Sequence, residues 1–217
     1  MMRVLLMSAM VSVLSFAALP ALAETAAAPA AASAEKKADD IVWEERSLGD
    51  ANAPVTIYEY ASMTCGHCAA FHETVFPHVK SELIETGKVR FVYRDFPLNG
   101  PAVKAAALAR CMPEQRFFPF VASVFKTQQS WIMSENHQEA LAKLAALAGV
   151  DQDRAQACMN SPALEVKLMQ LMQEAQTKYN INSTPSFVFY DKDGNQMKDF
   201  KPFTELMEKN FKNDHKH

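Results

Sequence analysis

Cys65-Gly66-His67-Cys68 constrains this chain more than any other stretch, because of what flanks it. Before it, Val55-Thr56-Ile57-Tyr58-Glu59-Tyr60 is rich in β-branched and aromatic residues and reads as a strand. After it, Phe71, Val75, Val79 and Leu83 recur every four residues, a helical spacing. The cysteine pair therefore sits where a strand passes into a helix. The free amides of a first helical turn and the positive end of the helix dipole favour a thiolate there. Two cysteines three positions apart can also close and reopen a small disulfide ring, which is redox catalysis. A static bridge is the plain alternative, but so short a loop constrains the unfolded chain little.

The roles within the pair follow from position. Cys65, at the exposed start of the helix and beside His67, is the expected attacking thiol, with the dipole and a protonated His67 favouring its anion. Cys68, one turn further in, is the expected resolving thiol. A structural zinc site needs four ligands, and no second cysteine–histidine pair joins Cys65, His67 and Cys68. Haem attachment needs a histidine directly after the second cysteine, and Ala69 stands there. Neither a metal nor a cofactor is expected.

The address is legible at the N-terminus. Met1-Met2-Arg3, an apolar run from Val4 to Leu19, Pro20 and Ala21-Leu22-Ala23 follow the order of a secretory signal peptide, with cleavage expected after Ala23. The rival, a retained anchor, would have to span a bilayer with a run interrupted by Ser8, Ser12 and Ser15. The chain that remains, about 190 residues, is long enough for one well-buried domain with an insertion. Its net charge of −3 and lack of a basic stripe argue against a nucleic-acid partner. Four cysteines in an exported protein suggest two pairs. Cys111 and Cys158 lack the spacing of a redox switch and are expected to form a structural bridge. Such a bridge closes a loop of about 48 residues and contributes on the order of 4 kcal/mol in the chain-entropy model.

Residues 24–40, rich in Ala and Pro, read as a disordered tether. Ile41–Arg46 is a candidate first strand. Pro77 lies inside the helix after the cysteines, so a kink is expected near Glu73–Pro77, and Gly87 is the stop signal. Val89–Arg94 reads as another strand. Residues 102–179 carry a helical pattern without a strand: 102–112, 114–128, 134–148, 151–159 and a last helix opened by Ser161-Pro162. Their Phe and Met stripes read as core. Ser186–Tyr190 is a strand, Asp193-Gly194 a tight turn into Gln196–Phe200, and Pro202–Phe211 a closing helix. His72, His78 and His137 are expected on helix surfaces, and His215 and His217 in a solvated end within residues 214–217.

This order resembles the DsbA-like family of thioredoxin-fold proteins, exported bacterial thiol–disulfide oxidoreductases. The resemblance rests on Ala53-Pro54-Val55, Cys65-Gly66-His67-Cys68, Tyr93-Arg94-Asp95-Phe96-Pro97-Leu98, the helical insertion and Thr184-Pro185-Ser186-Phe187. It covers about Ile41 to Phe211. It implies an α/β thioredoxin fold built from residues 41–101 and 180–213, with an inserted helical subdomain over 102–179. It implies that Pro185 is a cis-proline facing the cysteines, leaving the backbone of Thr184 free for an extended substrate. It also implies that Glu59 is a buried acid that accepts or relays the proton of the inner cysteine. The Gly-His dipeptide between the cysteines is that of eukaryotic protein disulfide isomerases, where the founding bacterial oxidases carry Pro-His.

The expected activity is that of a periplasmic oxidase, passing the Cys65–Cys68 disulfide to unfolded exported proteins with free cysteines. The resemblance adds a membrane partner of the DsbB type to reoxidise it, and a monomer is expected. An isomerase or reductase using the same cysteines is the alternative. A non-enzymatic interaction protein is the rival from another class, and intact Cys65, His67, Cys68 and Pro185 speak against it.

Overall fold

Strand β2 (Val55–Ala61) carries two kinds of side chain, and the two faces of the sheet are built on that difference. Val55 and Ile57 belong to an apolar cluster with Phe71, Val75, Val79 and Leu83, and with Phe203 and Leu206. Tyr60 points the other way, into a cluster with Ala175, Ile181 and Val188. The period of two along a strand enforces this split, and it puts Glu59 on the same face as Ile57.

The structure, a computed structural model, describes residues 43–211. The signal peptide, the tether and the tail expected from the sequence lie outside these residues. The sheet has five strands in the order β1-β3-β2-β4-β5, from β1 (Arg46–Leu48), β2, β3 (Val89–Asp95), β4 (Ser186–Asp191) and β5 (Gln196–Met197). β2 and β3 are parallel, with Glu59 beside Tyr93, and β4 lies antiparallel on the other side of β2, with Glu59 beside Phe187. β1 and β5 pair antiparallel at the edges.

Helix α1 runs over residues 66–84 between β2 and β3 and buries Cys68, Phe71, Val75, Val79 and Leu83. The ladder of this helix is irregular on both sides of Pro77, around the expected kink near Glu73–Pro77. The helix widens into π turns over Phe71–Val75 and Lys80–Ile84, and the Phe76 N–H bonds the Phe71 carbonyl. Proline has no amide with which to continue the ordinary ladder, and the wide turns keep the chain helical across that gap.

Between β3 and β4 come α2 (Gly100–Arg110), α3 (Glu114–Lys126), α4 (Gln128–Ile132), α5 (His137–Leu147), α6 (Gln152–Met159) and α7 (Pro162–Tyr179). Asn99, Asn136, Asp151 and Ser161 each accept a bond from the amide three residues on, as N-caps do. These helices enclose a core of their own that includes Phe117, Phe120, Val124, Trp131, Leu141 and Leu168. Inside it the Cys111–Cys158 disulfide joins the end of α2 to α6, with an S–S distance of 1.99 Å. Helix α8 (Lys201–Phe211) closes the sheet face that α1 also covers.

Two edges differ from expectation. Among the described residues the first strand is Arg46–Leu48, and residues 43–45 of the expected Ile41–Arg46 strand lie outside it. Trp43 lies off the sheet, its ring 4.4 Å from the Arg110 guanidinium. The hairpin's second arm is only Gln196–Met197, after a turn in which the Asp191 carboxylate accepts from the amides of Asp193 and Asn195.

Candidate active site

Cys65 is the N-cap of α1. Its backbone is extended (φ −84°, ψ 120°), and its Sγ accepts from the Cys68 amide at 3.4 Å. A cap position normally held by Ser, Thr, Asp or Asn is here held by sulfur. The two cysteines are free thiols in the structure. The expected exposure of Cys65 is modest: it keeps 9% of its surface, against 0% for Cys68.

The pair polarises itself. The Cys65 thiol is pulled from 9.0 down to about 5, first by hydrogen bonding to Cys68, against the opposing effect of burial. Thr184 and the backbone amides of Cys68 and His67 help. The Cys68 thiol is pushed far up by the same hydrogen bond, then by burial and by the charge of Glu59. The sequence reading assigned part of the Cys65 effect to the His67 ring. In the structure His67 contributes through its amide, and its side chain is solvent-facing.

Thr184-Pro185 is the cis peptide bond of the described chain, and the Thr184 carbonyl lies 3.3 Å from Cys65 Sγ. The loop before β4 is thus brought, across 119 residues, to the cysteine at the head of α1. From the helical subdomain, buried Gln128 donates Nε2 to the carbonyls of Met63 and Cys65, both at 3.0 Å. No periodicity or motif marks Gln128 in the sequence.

Glu59 is fully buried, on the sheet face that α1 covers. Its two carboxylate oxygens lie 3.0 and 2.9 Å from His72 Nε2. This corrects the expectation of a surface His72, whose side chain is only 4% exposed. His72 stands one turn after Cys68, so both share the inward face of α1. Its ring stacks on Phe125 of α3 with centroids 4.4 Å apart. His137 is also less free than expected, its Nδ1 lying 3.1 Å from the Trp131 carbonyl, whereas His78 remains on the surface.

The arrangement can exchange a disulfide: one acidic thiol at the surface, a proton-holding thiol beneath it, and a backbone carbonyl alongside. A family profile described as thioredoxin matches residues 42–209. The crystal structure of Wolbachia pipientis alpha-DsbA1 is 30% identical, with a TM-score of 0.67, over 82% of this chain and 97% of that one. The chain belongs to the DsbA-like family of thiol:disulfide oxidoreductases in the thioredoxin superfamily. A Rickettsia prowazekii protein named as a protein-disulfide oxidoreductase is 32% identical over 64% of this DsbA-like chain and 52% of its own length. Disulfide bond formation protein D of Bacillus subtilis is 26% identical over 76% of each chain. The chain spans about half the length of the Rickettsia relatives it matches. Among the described residues no helix is long and apolar enough to cross a membrane.

Proposed function

We propose that this chain is an exported disulfide oxidase, which donates the Cys65–Cys68 disulfide to unfolded proteins with free cysteines. The observation that carries the reading is the place of Cys65 at the head of α1, where its Sγ accepts from the Cys68 amide at 3.4 Å, a setting that lowers its thiol to about 5. A stable Cys65 thiolate stabilises the reduced protein, and a disulfide whose reduced form is stable is a strong oxidant. In the reaction a substrate thiolate attacks Cys65 Sγ, and Cys68 departs with the electron pair of the broken S–S bond. A second substrate thiolate then attacks the substrate sulfur of the mixed disulfide, and Cys65 leaves as the thiolate that its surroundings favour. The substrate loses two electrons and the cysteine pair gains them.

Cys65 is the exchanging thiol in this reading and Cys68 the buried one. His67 lends its backbone amide. Thr184, held by the cis bond to Pro185, offers its backbone to an extended substrate chain. Glu59 takes part in moving the proton of Cys68, and Cys111–Cys158 holds the helical subdomain together without joining the exchange. The signal peptide read from residues 1–23 supports a periplasmic site of action. A strong oxidant must be recharged, which calls for a membrane partner of the DsbB type, and a monomer suffices for the chemistry.

The test is the reduction potential of Cys65–Cys68, measured by equilibration with glutathione. A value near about −120 mV is expected, and a value near about −270 mV would identify a reductase and overturn the reading.

A further inference from the structure

Glu59 and His72 form a buried pair that the exchange of sulfur atoms alone does not use. Both carboxylate oxygens are within 3.0 Å of one ring nitrogen, in a site with 0% and 4% side-chain exposure. A carboxylate so deep is costly unless a partner offsets its charge. The groups around His72 narrow what the pair can serve. Glu59 faces it from β2, and Tyr93 from β3, its ring 6.1 Å away. Helix α3 offers Phe125, and α1 itself supplies Phe71 and Phe76. Asp95 and Arg110 act on Tyr93. Cys68 stands one helical turn before His72 on the same helix face, and its thiol feels the charge of Glu59.

We propose that His72, acting through Glu59, is the proton reservoir for Cys68 when the Cys65–Cys68 disulfide opens. When the substrate thiolate attacks Cys65, the S–S bond breaks and its electron pair leaves on Cys68 Sγ. That thiolate takes a proton from the Glu59–His72 hydrogen bond. Glu59 ends as the carboxylate it was, and His72 passes from imidazolium to neutral imidazole. Without the imidazolium, the departing thiolate would face a bare buried carboxylate, and the like charges would hold the disulfide closed. Imidazole is the side chain most used to hand over a proton in such a transfer. His72 is a positioning residue here: it touches Glu59, not the sulfur atoms. The inference rests on the oxidase reading above.

The experiment is stopped-flow opening of the oxidised protein by glutathione, with the rate divided by thiolate concentration, between about pH 5 and pH 8. In the unmodified protein this corrected rate is expected to fall about tenfold or more as pH rises, the size of a general-acid contribution. His72→Asn keeps a hydrogen bond to Glu59 without the proton, and should be slow and flat. Glu59→Gln breaks the route and should also be flat. His72→Lys carries a charge that stays on through this range, and should remain fast across it. An unmodified protein with no pH-dependent fall overturns the relay, whatever the variants do. So does a fall that survives in His72→Asn, which would then belong to the exposed His67 or another group. If the relay fails while the glutathione equilibrium still gives an oxidising potential, His72 is only a structural partner of Glu59 and the oxidase reading stands.

Discussion

Cys65 and Cys68 are the same residue type three positions apart, yet the fold drives their thiols in opposite directions. One caps a helix and keeps a little surface, and the other is sealed beneath it beside a buried acid. Alkylation of the reduced protein with iodoacetamide across a pH series should therefore modify Cys65 with a midpoint near about 5 and leave Cys68 unmodified. Faster labelling of Cys68, or a Cys65 midpoint near that of a free thiol, would reverse the assigned roles. The sequence displayed this contrast because a strand-to-helix junction is readable from periodicity alone. It displayed Glu59 too, as an acid inside an apolar strand, but not the acid's partner. His72 falls between Phe71 and Val75 on a stripe whose width a linear pattern leaves open, and only the closeness of α3 shows that it faces inward. The usable signal was Cys68: a residue four places on from a buried one shares its face.

At the scale of elements, the buried Arg110 guanidinium fastens pieces that are distant in the chain. It meets Asp95 at the end of β3 at 2.7 Å and donates to the carbonyls of Glu44 and Tyr93 at 3.1 and 3.3 Å. Trp43 and Phe117 lie against its flat faces. Burial pushes the Asp95 carboxyl up and Arg110 draws it back, so the pair stands on its geometry. Arg110→Ala would strand that carboxylate, and should cost on the order of 3–5 kcal/mol in urea unfolding. A loss below about 1 kcal/mol, the range of a surface pair, would show that the clasp is incidental. Arg110 sits in an Ala-rich helix where no local pattern singles it out, and its importance comes from tertiary closeness alone. The same limit shifted the first strand. Ile41–Arg46 has strand-like residues, but Trp43 packs on Arg110, and among the described residues pairing with β3 begins at Arg46. Caps and interior strands were legible because their causes are local: Ser161-Pro162 opens α7, and Asp193-Gly194 turns the hairpin.

For the whole molecule, the redox state of one pair should set the stability of the fold. In the reduced protein the Cys65 thiol is lowered to about 5 from the 9.0 it has in an unfolded chain. A lowered acid contributes stability that is fully present above its unfolded value and is lost as pH falls through its folded one. The oxidised protein has no titrating thiol there and gains nothing. Opposing this, the small ring removes entropy from the unfolded oxidised chain, worth about 2 kcal/mol for so short a loop and independent of pH. Below about pH 5 only the ring entropy acts, and the oxidised form should melt higher. As pH rises from there the thiolate contribution grows, and by about pH 8 the reduced form should melt higher. The rise is complete near 9.0, where the unfolded Cys65 thiol also ionises, and above that it reverses because the raised Cys68 resists an ionisation that the unfolded chain undergoes. Paired calorimetric melts at about pH 4, 6 and 8, with Cys111–Cys158 kept closed in both forms, decide the matter. A gap that moves the other way with pH would mean that folding destabilises the Cys65 thiolate, and a disulfide built on such a thiol cannot drive the oxidation of others.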